Sequence, residues 1–406
     1  MTEVIEQTEN KKGYKKTKLG WIPENWKMVR FDELFDEVVN LSNDTETYPL
    51  YSLTLENGVT PKTERYERSH LLKDKNENEF KLISEGEIAI NPMNLRFGAF
   101  FMSKVPETVS LSAYYDIVKA KKDTVNVIFY DAFMKSASAR RLYQRIATGS
   151  LDEKKRIHLS ELKKQLVPYP KKEEQDKIAE ILSAWDDGIE TLEKLIEQKE
   201  ILKNSLAQKC FRRKNILFPL KQHKLGELFK NRKETNCCDL ELLSVCDGLG
   251  IVPRSQLNAK DNSNDNKLKY LKVCIGDLAY NTMRMWQGRC GVSSYEGIVS
   301  HAYTVCIPKN NIDVDYMYYL FKTPHMIHDF WRYSQGIVDD TLNLKFNNFE
   351  VIKVWIPDKE TQTKIAKLLK SYDEEIQLLN SKLEKLKDQK KGLMQKLLTG
   401  QIRVKI

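Results

Sequence analysis

Two long stretches of this chain place apolar residues at alternating steps of four and three. The first runs from about residue 173 to 210, and the second repeats it 187 positions later, from about 360 to 397. These steps form the heptad seam of a coiled coil, so each stretch predicts one long helix. At 1.5 Å per residue each helix would be about 57 Å long, and neither could bury its apolar stripe alone. We therefore expect the two helices to pair through Ile178, Leu182, Trp185, Ile189, Leu192, Ile196, Ile365, Leu369, Tyr372, Ile376, Leu379, Leu383 and Leu386.

Lysines interrupt the apolar seam. Lys199 interrupts it once, and Lys203 and Lys390 interrupt it at matched positions of the two copies. A matched lysine in an apolar stripe either fixes the register of the pairing or marks where the stripe turns towards a partner. The sequence leaves both interpretations open.

The same short pattern leads into each helix. A proline, Pro170 or Pro357, is followed five residues later by a glutamine, Gln175 or Gln362, and then by Lys-Ile-Ala. Two unrelated amphipathic helices would share the heptads but not this entry pattern. The chain is therefore predicted to contain a duplicated unit.

The segments before the two helices also repeat one plan. Short β-like runs at 48–55, 87–90 and 114–119 are separated by Gly, Asn and Pro turns, and a helix is predicted over 127–146. Residues 217–357 follow the same order. The predicted fold class is α+β, with two pseudo-symmetric α+β domains separated by two long helices. The predicted boundaries are a flexible arm at 1–18, domains at 19–172 and 213–358, helices at 173–212 and 359–400, and a tail at 401–406.

Composition narrows the class of protein. The 406 residues are 41% hydrophobic, which suits two to three domains with cores, and no apolar run approaches the length of a membrane span. The polar N-terminus does not resemble a secretory signal. All seven cysteines lie at or after Cys210 without a CxxC pair, which indicates reduced thiols. We expect a cytoplasmic protein with no membrane partner.

Charge is unevenly distributed along the chain. Residues 173–210 carry a net charge of −5, residues 360–397 carry +3, and the remainder carries +11. Helices of opposite net charge favour pairing with each other. The positive excess between them could bind a polyanion.

The two copies differ in the polar segments that follow their shared residues. After matched Asn residues, the first copy reads Asn94-Leu95-Arg96-Phe97 and the second Arg284-Met285-Trp286-Gln287. Such groups bind phosphates and base edges, although ordinary loop drift or surface charge would also produce differences. The candidate DNA-binding residues are Lys62, Arg65, Arg68, Asn94, Arg96, Arg140, Arg141, Arg145, Lys154, Lys155, Arg156, Arg254, Arg284, Trp286, Gln287, Arg289, Arg332, Asn343 and Lys345.

The motifs expected of an enzyme are missing from the sequence. Asn91-Pro92-Met93 lacks the second proline and the aromatic residue of an amino-methyltransferase loop, and there is no phosphate-binding GxxxxGK[ST] motif. His325 and His328 have no neighbouring ligand cluster, and the cysteines lack metal spacing. We predict no catalytic residue and no metal site.

The sequence resembles the specificity subunit of type I restriction-modification systems. The resemblance covers nearly the whole chain and is carried by three segments: 18–26 (KLGWIPENW), 170–179 (PKKEEQDKIA) and 393–400 (LMQKLLTG). It implies that each domain is a target-recognition domain and that the helices form an antiparallel coiled coil. The implied partners are double-stranded DNA read as a bipartite site, two methyltransferase subunits, and restriction subunits. S-adenosylmethionine, Mg and ATP would then belong to those partner subunits and not to this chain.

A second class of function stays open from the sequence. A coiled-coil assembly protein with basic domains could bind RNA or another acidic partner without reading duplex DNA. Specific duplex binding together with a methyltransferase subunit distinguishes the two classes.

Overall fold

The computed structural model describes residues 12–62, 79–149, 155–212, 217–246, 250–257, 266–338 and 341–406. The chain divides into two compact units. Unit 1 comprises Met1–Leu192 with Lys382–Ile406, and unit 2 comprises Glu193–Ser381. Each long helix therefore contributes one part to each unit.

Unit 1 is built from small antiparallel sheets and short helices. A four-stranded sheet has the order β10-β9-β12-β4, a three-stranded sheet the order β11-β8-β5, and three strand pairs complete it: β1-β2, β3-β13 and β6-β7. The strands are β1 (Tyr14–Thr17), β2 (Gly20–Pro23), β3 (Lys27–Arg30), β4 (Phe35–Val38), β5 (Leu41–Ser42), β6 (Tyr51–Thr54), β7 (Gly58–Pro61), β8 (Phe80–Ile83), β9 (Ile88–Ile90), β10 (Phe100–Met102), β11 (Val109–Ser112), β12 (Asp116–Ala120) and β13 (Leu166–Tyr169). The helices are α1 (Phe31–Leu34), α2 (Val127–Met134), α3 (Ala137–Ile146), α4 (Leu159–Lys163) and the first part of α5 (Lys172–Cys210).

Unit 2 repeats this order of elements. Its four-stranded sheet, β15-β22-β19-β20, corresponds to β4-β12-β9-β10, and the pairs β14-β23, β16-β17 and β18-β21 complete it. The strands are β14 (Lys221–Lys224), β15 (Phe229–Arg232), β16 (Leu243–Cys246), β17 (Gly250–Pro253), β18 (Leu271–Val273), β19 (Leu278–Asn281), β20 (Cys290–Val292), β21 (Gly297–Val299), β22 (Tyr303–Pro308) and β23 (Lys353–Ile356). The helices are α6 (Leu225–Leu228), α7 (Val314–Phe321), α8 (Pro324–Tyr333), α9 (Phe346–Phe349) and the first part of α10 (Lys359–Leu398).

The start of each long helix lies in the core of one unit. In unit 1, Ile178 and Leu182 of α5 are buried in one cluster with Leu397 and Leu398 of α10. In unit 2, Ile365 and Leu369 of α10 are buried in the equivalent cluster with Cys210 and Phe211 near the end of α5. The heptad stripe thus becomes part of each globular core, which buries more apolar surface than a bare helix pair.

The duplicated glutamine ties each long helix to the helix of its own domain. In unit 2, Gln362 accepts a hydrogen bond from the Asp313 backbone N–H and donates one to the Pro357 carbonyl, both at 2.9 Å. Asp313 in turn caps α7. This explains why glutamine stands five residues after the proline in both copies, because its side chain reaches back to the carbonyl of that proline.

Gln175 makes the corresponding contacts in unit 1. It accepts from the Asn126 N–H at 2.9 Å and donates to the carbonyls of Pro170 at 2.9 Å and Thr124 at 3.2 Å. Asn126 caps α2. Both glutamines are almost fully buried.

The two long helices pack together in antiparallel orientation. Within unit 2, Lys199 pairs with Glu375 at 2.7 Å and Lys203 pairs with Asp373, so residue numbers rise along α5 as they fall along α10. The predicted fold class, two α+β domains with two long helices forming an antiparallel coiled coil, is confirmed.

Two details differ from the sequence prediction. The helix predicted over 127–146 is two helices, because Ser136 adopts an extended conformation and its hydroxyl caps α3. The arm predicted to be flexible over 1–18 includes an ordered strand, since Tyr14–Thr17 pairs with Gly20–Pro23. Residues 1–11 lie outside the described residues. No helix in the described ranges is long and apolar enough to cross a membrane.

Candidate nucleic-acid interface

A polar turn follows β9 in unit 1. The buried Asn91 accepts the Met93 N–H at 3.1 Å, and a 3-10 turn follows at Leu95–Phe97. Gly98 ends the turn with φ near +99°, a left-handed conformation that glycine adopts without strain. Buried Leu95 anchors the turn, and Asn94 and Arg96 on either side of it are half-buried. On this turn the Arg96 guanidinium lies 4.5 Å from the centroid of the exposed Phe97 ring.

A second candidate segment lies against this turn. Thr148 and Arg156 are joined by two backbone hydrogen bonds, and the Ile157 N–H donates to the Pro92 carbonyl at 2.9 Å. The structure therefore brings the predicted residues of the turn, Asn94 and Arg96, close to those of the loop, Lys155 and Arg156. Lys155 is half-buried and Arg156 is exposed.

The other unit 1 candidates are more scattered. Arg140 and Arg145 are exposed on α3, and Lys62 is exposed at the end of β7. Arg141 donates from one guanidinium nitrogen to the Leu19 carbonyl at 3.3 Å and to the Ser138 hydroxyl at 3.2 Å, so it holds the N-terminal segment in place. Three candidates lie outside the described residues: Arg65, Arg68 and Lys154.

A hollow of about 350 Å³ opens beside the two unit 1 segments. Its lining combines acidic, basic and aromatic groups: Glu37, Pro92, Tyr114, Asp116, Arg156, His158, Leu159, Ser160 and Lys163. Burial raises the pKa of Asp116, and the Lys81 amine 3.6 Å away opposes that shift. Lys163 pairs with Glu37 at 2.7 Å. The hollow thus offers both hydrogen-bond donors and acceptors.

Unit 2 has the same turn with different side chains. Asn281 accepts the Met283 N–H at 2.9 Å, a 3-10 turn follows at Met285–Gln287, and Gly288 ends it with φ near +73°. The Trp286 indole N–H donates to the Met283 carbonyl at 3.0 Å. The scaffold of the turn is therefore shared, while its exposed groups are not.

The second unit 2 segment is joined to this turn in the same way. Gln335 and Asn343 are paired through two backbone hydrogen bonds, and the Leu344 N–H donates to the Thr282 carbonyl at 2.8 Å. Around this junction Arg284, Gln287, Arg289, Arg332 and Lys345 are exposed, and Trp286 and Asn343 are half-buried. Arg254 lies in a separate 3-10 turn at Arg254–Gln256.

All thirteen predicted seam residues are buried or half-buried. The lysines that interrupt the seam are paired: Lys203 with Asp373 in unit 2, and Lys390 with Asp186 in unit 1. The two aspartates are themselves 187 positions apart, so one contact is made twice. A charged pair at a seam position favours one register of the helices over others, which supports the register interpretation.

The unit 2 ion pair has one additional partner. Asp373 also accepts the Tyr319 hydroxyl at 2.6 Å. Burial first, and then this bond to a carboxylate, raise the pKa of Tyr319.

The sequence prediction missed three groups at these surfaces. Phe97 follows Arg96 in a polar segment, and this adjacency could have predicted that the guanidinium stacks on the ring. His158 and Asp116 are far apart in sequence and meet only in the fold. Ile337 and Val338 follow the shared Gly336 in a predicted loop, where two exposed aliphatic side chains are unexpected. In the described part of the chain, no cluster of three or more His, Cys, Asp or Glu side chains could hold a metal ion.

Two known proteins resemble this chain in sequence. Two Methanocaldococcus jannaschii proteins are similar along almost their whole length. One, assigned as the specificity subunit of the type I restriction enzyme MjaX, is 22% identical over 433 residues, covering 99% of each chain. The other, the type I restriction enzyme MjaVIII specificity subunit, is 24% identical over 425 residues, covering 95% of this chain and 94% of its own.

Solved structures share the fold. The S subunit of a type I restriction-modification system from M. genitalium has a TM-score of 0.57 at 16% identity, covering 92% of this chain and 96% of that one. A chain from a structural study of type I R-M complex assembly and conformational transition also has a TM-score of 0.57, at 13% identity, covering 94% and 99%. The family model for the type I restriction modification DNA specificity domain matches residues 23–201 and 254–388. Because this match covers well over half of the chain, the protein belongs to the type I restriction-modification specificity-subunit family, as the sequence resemblance predicted.

Proposed function

We propose that this chain reads a bipartite duplex site for a type I restriction-modification complex, one half-site per α+β domain. Specificity subunits are non-catalytic components of such complexes. The observation that carries the proposal is the duplicated polar turn. The same asparagine and glycine scaffold presents Arg96 and Phe97 in unit 1 but Arg284 and Gln287 in unit 2.

The chemistry of these turns suits direct readout. Arginine binds the O6 and N7 acceptors of guanine, glutamine and asparagine bind adenine, and exposed lysines and arginines bind phosphates. A constant scaffold with different donors and acceptors is what two readers of unrelated half-sites require. Arg141 is better regarded as a structural residue, because its guanidinium already binds the Leu19 carbonyl.

Membership of the specificity-subunit family suggests which protein subunits this chain binds. We propose that the chain binds two methyltransferase subunits and, with restriction subunits, forms an ATP-dependent nuclease. S-adenosylmethionine, Mg and ATP would be bound by those subunits. Apolar side chains left exposed on the unit 2 parts of the long helices support docking there, among them Ile201, Leu202 and Leu378. Replacing Leu202 and Leu378 with serine should weaken co-purification of the methyltransferase subunit; unchanged co-purification would move the docking site elsewhere.

The decisive experiment is selection of bound sequences by the purified complex with its methyltransferase subunits, followed by mapping of methylated adenines. We expect one bipartite site. Arg96→Ala should relax one half and Arg284→Ala the other, each by about 1–3 kcal/mol if it contacts a base. Equal weakening on every duplex would make that arginine a phosphate contact. Preferential binding to RNA, with no selected duplex, would instead support the coiled-coil assembly class.

We further propose that the paired helices set the spacing between the half-sites. Helices of 39 and 40 residues rise about 58–60 Å, and their antiparallel ion pairs fix one register. Deleting one heptad from each, residues 189–195 and 381–387, keeps the seam periodicity and shortens each helix by about 10 Å. At about 3.4 Å per base pair the selected spacer should lose about three base pairs, while both half-sites stay unchanged.

The control for the heptad deletion is a pair of substitutions that leave both helices at their full length. Gln198→Ala and Gln389→Ala change exposed polar side chains of the two helices, away from the seam and from the apolar docking residues, so the selected spacer should stay as in the unmodified chain. If the heptad-deleted complex selected the original spacer, the helices would not set the distance.

A further inference from the structure

The loop between α8 and α9 in unit 2 exposes two aliphatic side chains at its tip. Ile337 is 98% exposed and Val338 is 60% exposed. An exposed aliphatic side chain gains little burial free energy on folding. Exposure of two adjacent aliphatic residues, almost complete for Ile337, therefore suggests that a partner covers them.

The backbone of this tip is held in place by Thr341. The Thr341 hydroxyl accepts the N–H groups of Ile337 at 3.1 Å and Val338 at 3.2 Å, and donates to the Val338 carbonyl at 2.8 Å. Gly336 precedes the tip with φ near +154°, and a Cβ there would lie 2.7 Å from the Thr341 backbone. Three hydrogen bonds from one side chain thus hold the backbone that carries Ile337 and Val338.

The residues around the tip indicate which class of partner it contacts. The ends of the loop are paired at Gln335 and Asn343, and Leu344 is bonded to Thr282 at the start of the polar turn. Exposed arginines and a lysine flank this junction: Arg284, Arg289, Arg332 and Lys345. Cationic side chains around an apolar tip fit a duplex better than a second protein surface, because they bind phosphates on either side of the bases.

The aliphatic side chains of Ile337 and Val338 offer no hydrogen-bond donor to phosphates, so the tip itself is not suited to the backbone of DNA. Base edges in the major groove are a better match, since they offer thymine methyl groups to apolar side chains. Resting on the proposed function, we infer that Ile337 and Val338 contact thymine methyl groups in the half-site that unit 2 reads.

The test uses the complex with its methyltransferase subunits and its selected site. Each thymine of both half-sites is replaced in turn by uracil, which removes only the methyl group. Binding is measured for the unmodified complex and for complexes carrying Ile337→Ser or Val338→Ser. We expect uracil to weaken the unmodified complex severalfold at one or two positions of a single half-site. The serine variants should bind the full site about tenfold more weakly and should no longer respond to uracil at those positions.

Ile275→Ser is the matched control. Ile275 is an exposed isoleucine of the same unit, 72% accessible, located before β19, whereas the polar turn follows that strand. This variant should keep both the affinity and the uracil response of the unmodified complex.

Several outcomes would overturn the inference. These are serine variants that bind as the unmodified complex does, variants weakened equally on unrelated duplexes, a loss confined to methyltransferase binding, or tenfold weakening without any uracil-sensitive position. A complex that selects no duplex site at all would instead contradict the proposed function. The two failures are therefore distinguishable.

Discussion

Replacing Gln362 with alanine should destabilise unit 2 by about 2 kcal/mol. The side chain is 1% exposed and binds two backbone groups, the Asp313 N–H and the Pro357 carbonyl. Leaving a buried partner unsatisfied costs about 1–3 kcal/mol per group. The freed conformational entropy of the glutamine side chain, about 1.5–2 kcal/mol, reduces the sum.

Replacing Gln175, the equivalent glutamine, with alanine should destabilise unit 1 more than Gln362→Ala destabilises unit 2. Gln175 binds three backbone groups, those of Asn126, Thr124 and Pro170, so the same reasoning gives about 4 kcal/mol for Gln175→Ala. The control substitutions are Gln198→Ala in unit 2 and Gln389→Ala in unit 1, which change exposed glutamines of the same helices. Each should stay within about 0.5 kcal/mol of the unmodified chain.

Native-state hydrogen exchange followed by mass spectrometry suits this comparison, because it reports opening in each unit separately. Losses of about 2 and 4 kcal/mol correspond to roughly 30-fold and 900-fold faster exchange of the most protected amides. Acceleration should be confined to unit 2 for Gln362→Ala and to unit 1 for Gln175→Ala. Unchanged exchange in the alanine variants, or equal acceleration in both units, would refute the idea that each glutamine locally ties a long helix to its domain.

Two further predictions concern unit 1. Gly400→Ala should destabilise it by more than about 2 kcal/mol, because Gly400 has φ near +68° and an added Cβ would lie 2.3 Å from Pro23. Gly392→Ala, in open space on α10, should instead stabilise it by about 0.5–1 kcal/mol. Denaturant titration measures both changes, and equal effects would contradict the steric argument. Burial raises the pKa of Asp116 above its ordinary 3.8, so the folded state keeps this proton to higher pH than the unfolded chain does. The stability linked to the group is therefore fully present below the unfolded pKa and is lost as pH rises through the folded pKa. Asp116→Asn should therefore flatten the pH dependence of the unfolding free energy above about pH 4; parallel profiles for the two proteins would show that the group is not perturbed.

The long helices and the duplication were accessible from sequence because periodicity records which face is buried. The partners of Lys203 and Lys390 were accessible in principle, since Asp186 and Asp373 repeat with the same offset. Antiparallel pairing of equivalent helices brings each lysine to the other helix's aspartate. The break at Ser136 was also signalled, because serine is a strong N-cap residue.

The candidate interface was harder to predict. A basic residue looks the same in sequence whether it faces solvent or binds the protein itself. Arg141 illustrates this, because its carbonyl partner, Leu19, is 122 positions away. The hollow of unit 1 could not be predicted for the same reason: Asp116 and His158 become neighbours only when β12 and the segment before α4 are in place.

Comparing the two units separates scaffold from recognition. Contacts that repeat use the same chemistry in both units, as in the buried Gln175 and Gln362 and in the Lys–Asp pairs of the long helices. Positions around the hollow do not repeat: the backbone bridge that carries Arg156 in unit 1 carries Asn343 in unit 2, and the cap of α4 is His158 where the cap of α9 is Lys345. Loop drift alone would change these positions without altering which DNA sequence is bound. If instead the differing groups select bases, exchanging Arg156 for asparagine together with His158 for lysine should alter the half-site of unit 1 and leave that of unit 2 as it was.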